Sequence, residues 1–329
     1  MKELSTRTAG FTDSIIRRMT RISNQYGAIN LSQGFPDFDP PKEITNRLAE
    51  IAPHGPHQYA ITWGAQNFRE ALAKKQSHFT GLDIDANKNI VVTCGSTEAM
   101  MAAMMTIVNP CGKVFTRKEL QTIADIIIKY DGYVITDEVY EHIVYTPYQH
   151  VYISTLPGMW ERTVSCSSLS KTYSITGWRL GYVIAPERII DRVKKVHDFL
   201  TVGAAAPLME AATVGLSFQD SYYKELQVHY THMKQLFCDG LRQFGLDFTD
   251  PQGAYYVLLD VSKYGVKDDL HFCEWLAEHV GVGAVPGSCF FREDVNHLIR
   301  FHFAKRDDTL KAALNRLSEL ELKAKTYKQ

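Results

Sequence analysis

Four groups of residues have types and spacings that could do chemistry. The first is Ser168-Leu169-Ser170-Lys171 followed by Gly177, Arg179 and Gly181, a pattern S-x-S-K-x5-G-x-R-x-G. A lysine amine kept partly neutral is a nucleophile toward a carbonyl. The hydroxyls of Ser168 and Ser170 and the guanidinium of Arg179 can hold a phosphate dianion beside it. A lysine next to a phosphate clamp is what a pyridoxal 5'-phosphate (PLP) aldimine requires. The second group is Asp137-Glu138-Val139-Tyr140. A carboxylate at a buried strand end is costly unless paired, and the pyridinium nitrogen of PLP is such a partner. Tyr140 is placed to bond the ring oxygen. Read alone, Asp137 also fits a helix N-cap. The third group, Gly95-Ser96-Thr97, opens a helix whose first N–H groups favour a phosphate, although the same triplet caps helices that bind nothing. The fourth is Arg300 inside the apolar run Leu298 to Phe303. It suits the carboxylate of an amino acid or, equally, an internal ion pair.

These residues need elements to hold them. A short β-branched run, Asn89 to Thr93, leads into Gly95, and a helix follows from about Thr97 to Ile107. Apolar spacing predicts helices over 11–29, from Pro41 to Ile51, from Trp63 to Phe79 and from Glu119 to Tyr130. Tyr133 to Thr136, Thr163 to Ser167 and Leu180 to Ala185 read as strands. Strands alternating with helices predict an α/β fold with a mostly parallel sheet covered on both faces. Chemistry then collects at the carboxyl ends of the strands, where Gly95, Asp137 and Ser168 stand. From about Val193 the pattern changes to long helices, then to the strands Gly253–Asp260 and Leu298–Phe303 and a last helix from Asp307. Two domains are expected: a large one over 41–205, and a small one made of 1–40 with 206–329.

Composition limits the alternatives. The chain has 329 residues, 45% apolar and 22% charged, with 36 basic against 37 acidic side chains and a net charge of -1. That balance argues against nucleic acid or an anionic membrane as the main partner. The longest apolar run, Ala99 to Val108, is short of the roughly 20 residues that span a bilayer. The first ten residues lack a signal-peptide core, so a cytoplasmic protein with reduced thiols is expected. The six cysteines are scattered with no C-x-x-C, and His54 and His57 have no third metal ligand. The lysines and arginines of 292–324 read as a solvated helix face. Phe35, Tyr59, Trp63 and Phe290 are candidates for an apolar pocket wall, or plain packing.

Taken in order, the four groups resemble the class I/II aminotransferases of PLP fold type I. Several details are similar to the subgroup that includes methionine aminotransferases and kynurenine–oxoglutarate transaminases. The stretches that carry the resemblance are INLSQGFPDFDPP (29–41), HQYAITWGAQNFREALA (57–73), VITDEVYEHIVY (134–145), SLSKTYSITGWRLGY (168–182), KVHDFLT (195–201), QGAYYVLLD (252–260) and LIRFHFAKRDDTL (298–310). The resemblance implies that Lys171 forms the internal aldimine and shuttles the substrate proton. Asp137 pairs with the ring nitrogen, and Tyr140 and Asn109 bond the ring oxygen. Gly95, Ser96, Thr97, Ser168 and Arg179 hold the phosphate. Tyr59 reaches the phosphate of a neighbouring subunit, which implies a homodimer. Arg300 binds the substrate carboxylate, with Gly34 and Asn109 beside it. The implied reaction moves the amino group of a hydrophobic, sulfur-containing or aromatic amino acid to a 2-oxo acid. A cysteine-conjugate β-elimination on the same cofactor is the competing chemistry.

One departure stands out. The helix ending at Val108 runs straight into Asn109-Pro110-Cys111-Gly112-Lys113. The resemblance places about 60 residues between those two points, including strands of the large domain and the aromatic ring that stacks on PLP. A sheet without them exposes an edge and apolar surface. A deletion remnant that acts only by binding is therefore a third reading.

Overall fold

The computed structural model describes residues 14–57, 60–103, 113–201, 203–291 and 293–327. Helix α1 (Ile15–Gln25), strand β1 (Ile29–Asn30), helices α2 (Lys42–Ile51) and α3 (Gln66–Thr80), strand β2 (Ile90–Thr93) and helix α4 (Ser96–Ala103) come first. They are followed by α5 (Arg117–Lys129), β3 (Val134–Asp137), β4 (Thr163–Ser168), β5 (Gly181–Ile184), α6 (Glu187–Thr201), α7 (Ala206–Leu216) and α8 (Asp220–Gln243). Then come β6 (Tyr256–Asp260), α9 (Asp269–Trp275), β7 (Val282–Gly283), β8 (Val285–Pro286), β9 (Leu298–His302), α10 (Asp307–Leu317) and α11 (Leu320–Lys323). The predicted elements are present where the chain is described, with ends moved by a few residues; positions 11–13 and 104–107 of two predicted helices lie outside the described residues. Local chemistry sets those ends. Thr116 and Glu119 form a reciprocal capping box that starts α5. Asp131, at φ +48°, and Gly132 end it, with the Gly132 N–H returning to the Ile127 carbonyl.

The central sheet has the order β2-β5-β4-β3. β3 and β4 are parallel, and β5 is antiparallel to both of its neighbours. Hence β2, β3 and β4 all point one way and only β5 is reversed. This arrangement brings the site together. The carboxyl ends Thr93, Asp137 and Ser168 share one rim, and because β5 is reversed its first residue lies among them. Gly181 is in register with both Thr93 and Ser168.

Alternation along the strands buries both faces. Val91, Val164, Cys166 and Val183 pack with Ala99 of α4 and with Ile190 and Val193 of α6. Ile90, Val92, Tyr182 and Ile184 pack with Phe68 and Leu72 of α3 and Met209 and Ala212 of α7. Helix α7, which a division after 205 assigns to the small domain, thus shares the core of α2 and α3. A second core joins α1, α8, the three-stranded sheet β6-β9-β8, α9 and α10 through Met19, Phe237, Phe272, Phe301 and Leu310.

β2 and β3 are the two edge strands of the described sheet, and the four residues of β3 are only half-buried where those of β2 and β5 are buried. Next to β3 Tyr133, Ile126 and Tyr130 are 59%, 54% and 72% exposed. No described helix is long and apolar enough to cross a membrane.

Candidate active site

The end of the site that the sequence reading gives to a phosphate is built by close backbone approach. Gly95, at φ +86°, follows β2, and the Arg179 guanidinium lies where a side chain at Gly95 would stand. Arg179 is itself left-handed, at φ +55°, and donates to the Thr176 carbonyl at 2.9 Å. A methyl group at Gly181 would meet the Gly95 carbonyl carbon and would lie 2.6 Å from the Ser96 nitrogen. The structure therefore gathers Gly95, Ser96, Thr97, Ser168 and Arg179 at one rim, with the start of α4 between them. The cradle exists because two glycines leave it open. We expect Gly181→Ala to cost about 1–3 kcal/mol, because the colliding atoms are backbone rather than a mobile side chain. It should also weaken binding of inorganic phosphate. Urea unfolding together with phosphate titration checks both, and an unchanged phosphate affinity contradicts the cradle.

Asp137 ends β3 and is half-buried. Burial pushes its carboxyl up to about 6, against a Val139 N–H bond and the nearby Lys171 charge, which pull it down. Among the described residues no cation lies within ion-pair distance of it. The segment carrying Asp137 and Tyr140 is anchored to α3. Glu141 receives Lys75 Nζ at 2.9 Å, with both side chains 3% exposed, and bonds from Gln76 and Tyr152.

Tyr140, Lys171 and Arg300 are linked through Gly34 and two tyrosines. The Tyr140 hydroxyl donates to the Tyr256 hydroxyl at 3.0 Å. Gly34 packs so close to that hydroxyl that a methyl group would collide with it. The Gly34 carbonyl accepts from Lys171 Nζ at 3.2 Å and from the Tyr255 hydroxyl at 3.1 Å. The Arg300 guanidinium is sandwiched between the rings of Tyr256 and Phe290, 4.1 and 4.0 Å from their centroids. Arg300 is buried and its Nε has no partner. No carboxylate among the described residues pairs with it.

Several sequence expectations change. Tyr59 and Asn109 lie outside the described residues. Phe290 does line the site, but Trp63 packs with α4 and α6 and holds Lys194 over its ring. Phe35 carries Lys305 in the same manner, at 4.3 Å. Lys305 and Arg300 are buried, which corrects the reading of 292–324 as wholly solvated. Sequence reasoning missed Tyr255 and Tyr256. No signal in the sequence marks them: Arg300 is in register with Leu258, so Tyr256, two residues away, shares its face, and only the pairing of β6 with β9 brings the tyrosine to it. No described group of histidine, cysteine and carboxylate residues could hold a metal.

A model of the class I and II aminotransferases matches residues 26–108 and 106–317. The chain belongs to that family. The class I and II aminotransferases are PLP-dependent. The two matched stretches meet at 106–108, where the sequence reading places the lost span. The methionine aminotransferase of Escherichia coli is 32% identical over 369 aligned positions, taking in 93% of this chain and 96% of the relative. That share is about 306 residues, so about 60 aligned positions belong to the relative alone. A kynurenine–oxoglutarate transaminase of Dictyostelium discoideum is 28% identical, with 96% of each chain covered. The solved N-succinyldiaminopimelate aminotransferase of Mycobacterium tuberculosis superposes with a TM-score of 0.92 at 29% identity, covering 97% of this chain and 100% of that one. The fold is that of the fold type I aminotransferases.

Proposed function

We propose that this aminotransferase family member uses PLP to move the amino group of a hydrophobic, sulfur-containing or aromatic amino acid to a 2-oxo acid, acting as a homodimer. The observation that carries the reading is Arg300: a buried guanidinium, its Nε without a hydrogen-bond partner, connected through Tyr256 and Gly34 to the Tyr140 hydroxyl and the Lys171 amine.

The residues present fit the cofactor. The phosphate would lie in the cradle of Gly95, Ser96, Thr97, Ser168 and Arg179. Asp137 is a half-buried carboxylate with no cation at ion-pair distance among the described residues, as a partner for a protonated ring nitrogen should be. When bound, PLP supplies an aldehyde for an amine and a ring that takes up the electron pair left at the substrate Cα. Lys171 offers the amine that attaches the cofactor and, once free, carries the proton from Cα. Tyr140 donates toward the ring oxygen. Arg300 binds the substrate carboxylate with two parallel hydrogen bonds, which fixes Cα relative to Lys171.

The test is turnover of methionine, kynurenine, glutamine and aromatic amino acids by the PLP-loaded chain with a 2-oxo acid acceptor. Formation of the new amino acid, dependent on the acceptor, supports the reading. Pyruvate and ammonia from a cysteine conjugate without acceptor replaces it with β-elimination. A chain that takes up no PLP leaves the family label as ancestry.

A further inference from the structure

Three distant parts of the chain meet at one imidazole. His197, on α6, is fully buried. Its Nδ1 lies 2.5 Å from Glu98 Oε1 on the first turn of α4, and its Nε2 lies 3.0 Å from the Thr62 carbonyl oxygen. Glu98 also accepts from the Cys94 backbone N–H at 2.5 Å and from the Thr201 hydroxyl at 2.8 Å. Burial pushes the Glu98 carboxyl up, but the bonds from His197, Cys94 and Thr201 outweigh it and hold the group below its ordinary value. Glu98 is therefore an acceptor, as is the Thr62 carbonyl. An imidazole between two acceptors satisfies both only with a proton on each nitrogen, and it then offsets the Glu98 charge.

Of the imidazole's contacts, Glu98 borders the phosphate end directly, while the Thr201 hydroxyl lies 3.2 Å from Nδ1 on α6 itself. Cys94 and Glu98 flank the Gly95–Thr97 turn. Thr62 stands beside Trp63, whose carbonyl accepts from Val92 of β2. The other charges nearby are Arg179, against Gly95, and Lys194, which lies over the Trp63 ring from α6 itself. An uncompensated carboxylate on the first turn of α4 would oppose an anion bound there.

We infer that His197 is a positioning residue for the phosphate cradle: it ties the Gly95–Thr97 turn and the Thr62 segment to α6 and neutralises Glu98 beside the bound anion. The inference rests on the phosphate reading of that turn. It predicts an effect on the phosphate end of the cofactor and little on the ring end.

Dissociation constants for PLP and for pyridoxal, which lacks the phosphate, test it in the wild type, His197→Gln and Thr201→Val. Glutamine keeps one donor and loses the charge. His197→Gln should weaken PLP about tenfold or more and pyridoxal far less, so the preference for PLP shrinks. Thr201→Val, which removes one Glu98 donor and the 3.2 Å hydroxyl contact to Nδ1 but keeps the imidazole itself, should shrink it by a smaller factor and serves if the glutamine variant does not fold. Equal losses for both ligands, the mark of a merely structural histidine, overturn the inference, as does an unchanged preference in both variants. A wild type without preference for PLP overturns the phosphate reading itself and this inference with it.

Discussion

Lys171→Ala should abolish amino transfer, by about 10⁴-fold or more, while the protein stays folded. Both roles proposed for this residue need its amine: attachment of the cofactor and movement of the Cα proton. The fold does not depend on it to the same degree. The bond from Lys171 Nζ is to the Gly34 carbonyl, which keeps the Tyr255 hydroxyl as a second donor. The carbonyl is not orphaned, and the stability change should stay within about 1 kcal/mol. Lys171→Arg separates charge from nucleophilicity. A guanidinium keeps the positive charge near Asp137 but is not a usable amine, so arginine should be as inactive as alanine. Borohydride reduction of the PLP-loaded wild type, followed by peptide mapping, should find the adduct on Lys171, and neither variant should carry it. An adduct on another lysine, or an arginine variant with substantial turnover, refutes the assignment.

Asp137→Asn should do two things of opposite sign. Turnover should fall about 10²–10³-fold, because a neutral amide cannot hold a proton on the ring nitrogen by charge. The cofactor-free protein should become more stable at neutral pH. Burial raises the Asp137 carboxyl from an ordinary value of 3.8 to about 6. A raised value means that the folded state favours the protonated acid. Its favourable contribution is complete below the ordinary carboxyl value and is lost as the pH climbs through about 6. Above that pH the wild type holds a partly desolvated carboxylate that the asparagine variant lacks. A shift of this size corresponds to at most about 3 kcal/mol, and partial exposure reduces it to about 1–2 kcal/mol. Urea unfolding of both cofactor-free proteins at pH 5 and pH 8 reads the gap, which should widen at the higher pH. Equal stabilities at pH 8 would show that Asp137 is not strained by its surroundings. Saturating PLP should then favour the wild type, because the cofactor restores the missing charge partner.

Much of the site was legible in the chain because its signals are local. The lysine, serines and arginine of 168–179 lie within one loop, Asp137 directly follows an apolar run, and Gly-Ser-Thr opens a helix. The loss near Val108 was legible for a similar reason: two neighbouring motifs stand closer than the resemblance allows, and the family match breaks at that point. Arg300 shows the limit. An arginine in an apolar strand fits an internal carboxylate as well as an external one, and sequence cannot say which side chains surround it. The structure places it in the ring sandwich of Tyr256 and Phe290, with its Nε unpartnered. His197 shows it again. Its partners Glu98 and Thr62 lie far away along the chain, and only the packing of α6 against the central sheet makes them neighbours.

By itself, then, the sequence determined the element order, the residue types of the cofactor site and the place where the chain is short. These follow from periodicity, capping and spacing, which act over a few residues. The tertiary structure alone decided which strand runs backward, how Gly181 and Gly95 come to share one rim, which cations are buried without an anion, and which helix belongs to which core. Those depend on contacts between residues remote in sequence, where chain connectivity sets no distance and burial with hydrogen-bond satisfaction selects the arrangement.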